Sequence, residues 1–235
     1  MIRNSTRETT AINNLNIIFE DNHLLALNKR SSDIVQVDKT GDESLEDIVK
    51  QYIKIKYEKP GNVFLGVTHR IDRPVSGIVL FAKTSKALAR INEMFQAKEI
   101  TKKYWAIIKT KPPNESDRLS NYLKRNEAKN ITTVHTTEIK DSKLAILDYK
   151  LISIVDGYYL LEVTLITGRH HQIRAQLSYM GCPIIGDNKY GYTRANKDYS
   201  IHLHSRTMEF VHPVTKEQII IKAELPNDVI WNRFK

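Results

Sequence analysis

Apolar positions along this chain follow two rhythms, one of strands and one of helices. Short apolar runs at residues 15–19 and 24–28 flank Glu20-Asp21-Asn22, a turn cluster, and predict a β-hairpin. Ser44 followed by Asp47 resembles a capping box. Leu45, Ile48, Val49, Tyr52 and Ile53 then recur at helical spacing, which predicts a helix over 44–57 that Pro60-Gly61-Asn62 breaks. Residues 77–82, Gly-Ile-Val-Leu-Phe-Ala, predict a buried strand. Thr84 or Ser85 caps a second helix with Ala87, Leu88, Ile91, Met94 and Phe95 on one face. Residues 103–109 form another strand, and Pro112-Pro113-Asn114 ends that unit. Two long β-rich runs, 144–155 and 158–166, join at Asp156-Gly157, a two-residue link that only an antiparallel pair accommodates. Ile173, Leu177 and Met180 mark a short helix that Gly181 stops, and strands near 201–211 and 218–223 follow.

Strand pairs mixed with isolated helices predict an α+β fold, with a mixed, mainly antiparallel sheet and flanking helices. The chain of 235 residues is long enough to bury a sizeable core. Residues 1–14 are polar and aperiodic and read as a flexible leader; 15–235 read as one domain with a central cleft. The single cysteine, Cys182, rules out an internal disulfide framework and a cysteine-based zinc ribbon. No apolar run approaches the roughly 20 residues of a membrane span, and the N-terminus lacks the apolar stretch of a signal peptide, so a cytoplasmic, membrane-free protein is expected. The charge points to a partner: 36 Lys and Arg against 27 Asp and Glu give a net +9, which favours polyanions, nucleic acid above all. Basic residues concentrate in 98–129, interleaved with Tyr104, Trp105 and Tyr122, as on a nucleic-acid-facing surface.

Three stretches carry chemistry. In His69-Arg70-Ile71-Asp72-Arg73-Pro74-Val75-Ser76-Gly77, a carboxylate sits among three potential cations, on a backbone fixed by Pro74 and Gly77, and suits a nucleophile or a base. Thr167-Gly168-Arg169-His170-His171-Gln172-Ile173-Arg174 starts the short helix; the residues after Gly168 fall at a helix N-terminus, a natural anion site, and Arg174 lies one turn in. Gly181-Cys182-Pro183-Ile184-Ile185-Gly186-Asp187-Asn188-Lys189-Tyr190-Gly191 reads by itself only as a structured loop. His170-His171 and the pair His202 and His204, which strand alternation puts on one face, lack further ligands at metal spacing, so no metal is expected.

In this order the stretches resemble the RluA-type pseudouridine synthases of RNA. Lys102-Lys103-Tyr104-Trp105-Ala106 resembles that family's K-x-Y-x-A strand, and Leu203-His204-Ser205 and Phe210-Val211-His212-Pro213 resemble its ending. The resemblance covers roughly 15–225. Ile71 stands for the usual Leu, Val75 for the usual Thr, and Ala175-Gln176 for a pair that often ends in His.

The resemblance implies the pseudouridine synthase catalytic fold and isomerisation of specific uridines in ribosomal or transfer RNA, without cofactor or metal, by a monomer. It implies Asp72 as the catalytic carboxylate, Arg174 as its partner, and Tyr104 as the ring stacked on the base. It further implies an apolar wall from Ile173, substrate contacts from His69, Arg169 and Leu203, and Arg70 in the space left by a flipped base. Two other readings of these residues are a catalytically silent RNA-binding protein on the same scaffold and an unrelated carboxylate hydrolase. The intact Asp72, Tyr104 and Arg174 disfavour the first, and the basic charge and motif order the second.

Overall fold

The computed structural model describes residues 10–38 and 41–235. The hairpin is present as β1 (Ile17–Glu20) and β2 (Leu24–Lys29), antiparallel. Helix α1 (Leu45–Lys56) is capped by Ser44, whose hydroxyl accepts the Asp47 N–H. The Asp47 carboxylate accepts from that same hydroxyl at 2.7 Å, a variant of the expected box. A two-residue β3 (Gly66–Val67) precedes β4 (Ser76–Ala82), and Thr84 caps α2 (Ser85–Gln96). Next come β5 (Thr101–Ile108), β6 (Ser116–Asn126), β7 (Ile131–His135), β8 (Lys143–Val155) and β9 (Tyr158–Leu165). Helix α3 (Gln172–Tyr179), β10 (Leu203–Val211) and β11 (Gln218–Lys222) complete the order.

Among the described residues these strands make one eleven-stranded sheet in the order β1-β2-β4-β10-β5-β9-β8-β6-β7, with β3 on β4 and β11 on β10. The pairing is antiparallel except for β4 against β10, so the α+β, mainly antiparallel expectation stands. At the Asp156-Gly157 turn both residues have positive φ, 50° and 70°, as a tight two-residue hairpin requires.

β4 is buried along its length because helices cover both faces of the sheet there. Ile78, Leu80 and Ala82 pack with Ala87 and Ile91 of α2. Val79 and Phe81 face the other way, into a larger cluster with Leu45, Ile48, Val49 and Ile53 of α1 and Ile173 and Leu177 of α3. The second face carries Tyr104, Leu203, Ile71 and Val75, and so carries the cleft.

The parallel seam is short, with His204 opposite Ser76 and Ser205 opposite Gly77. Gly77 has φ +107°, and a Cβ there would lie 2.3 Å from the Ser205 carbonyl oxygen, so only glycine lets the two backbones approach. Further along β4, side chains stand in for a strand: the His69 Nε2 accepts the Leu80 N–H at 3.1 Å, and the Thr68 hydroxyl donates to the Leu80 carbonyl at 2.7 Å. The loop carrying Asp72 is thereby anchored at both ends.

Two expectations change. Residues 10–14 are not a loose leader: Ile12–Asn14 form a 3₁₀ turn, Ile12 packs on the core, and Thr10 bonds Asp33; the rest of that segment, 1–9, lies outside the described residues. The basic stretch within 98–129 hides β6, where Leu123 is the one fully buried side chain, so hydrophobic alternation is too weak to reveal it.

Burial holds two of the histidines that brace this sheet in their neutral form. His204, fully buried between the Ser76 hydroxyl and the Ala223 carbonyl, is pushed by burial from 6.5 to about 4; burial and then the Lys102 charge bring half-buried His69 to about 3. The unfolded chain takes up these protons first, so stability is complete above pH 6.5 and falls as pH drops towards 4. Between pH 6 and 4.5 each such group costs at most about 1.4 kcal/mol per pH unit. Urea unfolding at pH 7 and pH 5 measures this; equal stabilities would contradict it.

Candidate active site

The sheet face with α1 and α3 opens into a cleft of about 920 Å³. All eight residues singled out in the sequence line it: His69, Arg70, Asp72, Tyr104, Arg169, Ile173, Arg174 and Leu203. They come from the loop before β4, from β5, from the start of α3 and from β10, which the seam and its neighbour ladder bring side by side.

Asp72 sits with its side chain 28% exposed in a turn closed by the Val75 N–H on the Asp72 carbonyl at 3.0 Å. The cations beside it in sequence turn elsewhere: Arg73 pairs with Asp42 at 2.5 Å, Arg70 reaches Gln36 at 3.5 Å, and His69 serves Leu80. The group that meets Asp72 comes from α3, where Arg174 Nη1 donates to Asp72 Oδ2 at 3.1 Å.

The rest of that guanidinium is held by a residue that sequence reasoning missed. Arg174 Nε and Nη2 donate to the two carboxylate oxygens of Asp187, at 2.7 and 2.9 Å, a bidentate fork. Asp187 is 1% exposed and Arg174 5%. Burial alone opposes the charged guanidinium, but the Asp187 hydrogen bonds and charge, with Asp72 after them, raise its pKa overall. The paired fork therefore belongs to Asp187, and Asp72 takes a single N–H of Nη1. The signal for Asp187 was a carboxylate inside the turn motif Gly186–Gly191, which reads alone as loop chemistry.

His171 is the second missed neighbour. It precedes α3 with φ +51°, and its Nε2 lies 3.6 Å from Asp72 Oδ2. The Tyr190 hydroxyl accepts the Thr132 N–H and is hydrogen-bonded to His171 Nδ1 at 2.8 Å, which fixes the ring beside Asp72. Burial, then the Arg174 charge, brings His171 down to about 2, which keeps the ring neutral. The helix starts at Gln172, later than expected, and Arg174 lies in its first turn. The Gln172 side chain accepts from Thr167 and from the Arg169 N–H and donates to the Ile146 carbonyl, tying the helix start to β8.

Lys29 supports the loop from below. Along β2, Leu25, Leu27 and Lys29 share a face by alternation, so the lysine enters the core, where it is 2% exposed. Its Nζ donates to the carbonyls of Arg30, Arg73 and Val75 at 2.8, 3.1 and 2.8 Å. Burial lowers the ammonium to about 7, against the raising effect of Asp33 and Asp72. Val75 buries its side chain in the apolar cluster, so its carbonyl supplies the polar contact at that position.

Tyr104 is buried on β5; burial, with Asp72 adding to it and Ser205 opposing, pushes its phenol up to about 12. Ile173 and Leu203 are apolar wall, while Arg169 keeps one end of its guanidinium on the Leu144 carbonyl at the rim. His202 and His204 do share a face, packed against Trp231 with centroids 5.7 and 5.9 Å away.

The family model described as RNA pseudouridylate synthase matches residues 23–179. A ribosomal large subunit pseudouridine synthase C of Rickettsia prowazekii is 30% identical over 216 residues, which cover 89% of this chain and 68% of the relative. A tRNA pseudouridine synthase C of Vibrio vulnificus is 28% identical over 237 residues, covering 93% of each. Among solved structures, human RNA pseudouridylate synthase domain containing 4 superposes with a TM-score of 0.76 at 23% identity, covering 90% of this chain and 89% of that one. Human RNA pseudouridylate synthase domain containing 1 gives 0.73 at 20%, covering 94% and 87%. These two speak to the fold.

Removing the fork tests the local electrostatics. Asp187→Ala leaves a buried guanidinium half paired and is expected to cost about 3 kcal/mol in urea unfolding at pH 7. A cost below about 1 kcal/mol would show that the Arg174–Asp187 pair does not hold this corner together.

Proposed function

The chain belongs to the RNA pseudouridylate synthase family, and we propose that it converts specific uridines of ribosomal or transfer RNA to pseudouridine with Asp72 as the catalytic carboxylate. The relatives named for large-subunit ribosomal RNA and for transfer RNA supply the two substrate classes. The net +9 charge suits either, through phosphate neutralisation. The observation that carries the reading is the Arg174 bond to Asp72, made by a guanidinium already fixed by Asp187, in the cleft that Tyr104 also lines.

In this reaction the N1–C1′ bond of uridine breaks, the uracil turns, and C5 bonds to C1′ while the C5 proton leaves and N1 gains one. Oxidation level and composition are unchanged, so side chains suffice. Asp72 acts either by attack at C1′ or by removal of the 2′ proton. Arg174 holds the carboxylate in one orientation. The Tyr104 ring stacks on the uracil, and a phenol near 12 keeps its proton at neutral pH, available as a donor late in the reaction. Ile173 forms the apolar wall under the base. Arg70, exposed at the cleft and planar, fills the stack position that the flipped uridine vacates. His69 contributes mainly by holding β4, and Arg169 and Leu203 line the approach. The protein acts as a monomer in the cytoplasm; among the described residues no helix is long and apolar enough to cross a membrane.

Asp72→Asn keeps the size of the side chain and one acceptor for Arg174. It is expected to abolish tritium release from RNA labelled at C5 of uridine, with RNA affinity within a few-fold of the unmodified protein. Near-normal release would remove Asp72 from the chemistry.

A further inference from the structure

Behind the cleft lies a second cavity of about 300 Å³, between the end of α2 and the strand-to-helix turn at 164–169. The two share Lys102, Leu165, Gly168 and Arg169. The lining of the smaller one holds three cations, Lys98, Lys102 and Arg169, and no carboxylate.

Lys102 is unlike the other inward lysines. Lys29 gives its ammonium to three carbonyls, and Lys83 pairs with Glu20 at 2.9 Å. Its neighbour Lys103 lies 3.7 Å from Glu209. Among the described residues no hydrogen bond or ion pair reaches the Lys102 ammonium; it lies over the Phe95 ring, 5.1 Å from the centroid, close to the Gly168 backbone. Burial lowers its pKa, with no anion opposing that. A half-buried cation without an anion is costly, and its position at the opening between two cavities fits one supplied by the ligand.

We propose that Lys102 and the smaller cavity form a second nucleotide subsite. The backbone phosphate next to the target uridine seats on the Lys102 ammonium, with Arg169 at the rim, and the neighbouring nucleoside enters the cavity against Phe95. The subsite rests on the reading of the chain as an RNA isomerase. It gives the enzyme a grip on the strand beside the flipped base, independent of the Asp72 chemistry.

The test uses the full chain and a twelve-residue oligouridine, with affinity measured across salt concentration. Lys102→Met keeps an unbranched apolar side chain of similar length and removes the charge. It is expected to bind several-fold more weakly, with a log–log salt slope smaller by about 0.7, one phosphate on a single strand. Lys102→Arg keeps the slope, as does Lys222→Met on β11, outside both cavities. The Lys102→Met melting temperature stays level or rises, because an unpaired buried charge is gone. In the unmodified protein the oligouridine shields Lys102 from an amine-acylating reagent, read by mass spectrometry. An unchanged slope in Lys102→Met, or labelling of Lys102 indifferent to the oligouridine, overturns the subsite. Tritium release by the unmodified protein separates the two claims: release with an unchanged slope removes only the subsite, and a changed slope without release removes only the isomerase reading.

Discussion

One buried guanidinium joins the parts of this molecule that the proposed chemistry needs. Arg174 gives two N–H groups to Asp187 and a third to Asp72, so α3, the turn-rich loop at 184–191 and the loop before β4 meet at one planar group. An arginine suits this because its donors are fixed in a plane, where a lysine has one compact charge. The bidentate pair is the anchor, and the single bond to Asp72 is the contact through which we propose the catalytic carboxylate is oriented. That division explains how a carboxylate in a partly open cleft keeps one orientation without being buried itself.

The loop is also fixed from the other side. Lys29 holds its carbonyls at Arg73 and Val75, His69 and Thr68 bind it to the edge of β4, and Gly77 lets β4 lie against β10 where Tyr104 is the next strand's neighbour. These contacts tie the loop's backbone to buried strands, which limits its local opening. The neutral His171, held by the Tyr190 hydroxyl, sets its Nε2 edge 3.6 Å from Asp72. Electrostatics and scaffold thus share residues: the groups that set the backbone also set the field around the carboxylate.

Much of this was legible in the sequence, for physical reasons. Continuous apolar runs and the Asp156-Gly157 turn announced the central strands, and Ser44 and Thr84 announced the helices, because these signals are local. Asp72 and Arg174 stood out as charged residues inside otherwise apolar or turn-rich surroundings. The partner of Asp72 was legible only through the family resemblance, since 102 residues separate it from Arg174, while the obvious sequence neighbours Arg70 and Arg73 point elsewhere. Asp187 and Tyr190 were hidden in a loop motif whose meaning depends on what it folds against. Lys29 carried a readable sign, an ammonium on the inward face of an alternating strand, but its three acceptors belong to distant backbone. The β6–β7 hairpin was invisible because its face is polar and its stability comes from pairing with β8.

The proposed orientation of Asp72 depends on geometry at Arg174 more than on charge. The measurement that isolates this is the single-turnover rate of Arg174→Lys on RNA tritiated at C5 of uridine, with RNA affinity measured in parallel. A lysine keeps the charge but cannot hold Asp187 and Asp72 in one plane, so the rate is expected to fall on the order of tenfold or more, as ~1.4 kcal/mol of lost orientation implies, with affinity changed far less. A rate that survives while affinity drops would make Arg174 a phosphate contact and would contradict its part in orienting Asp72.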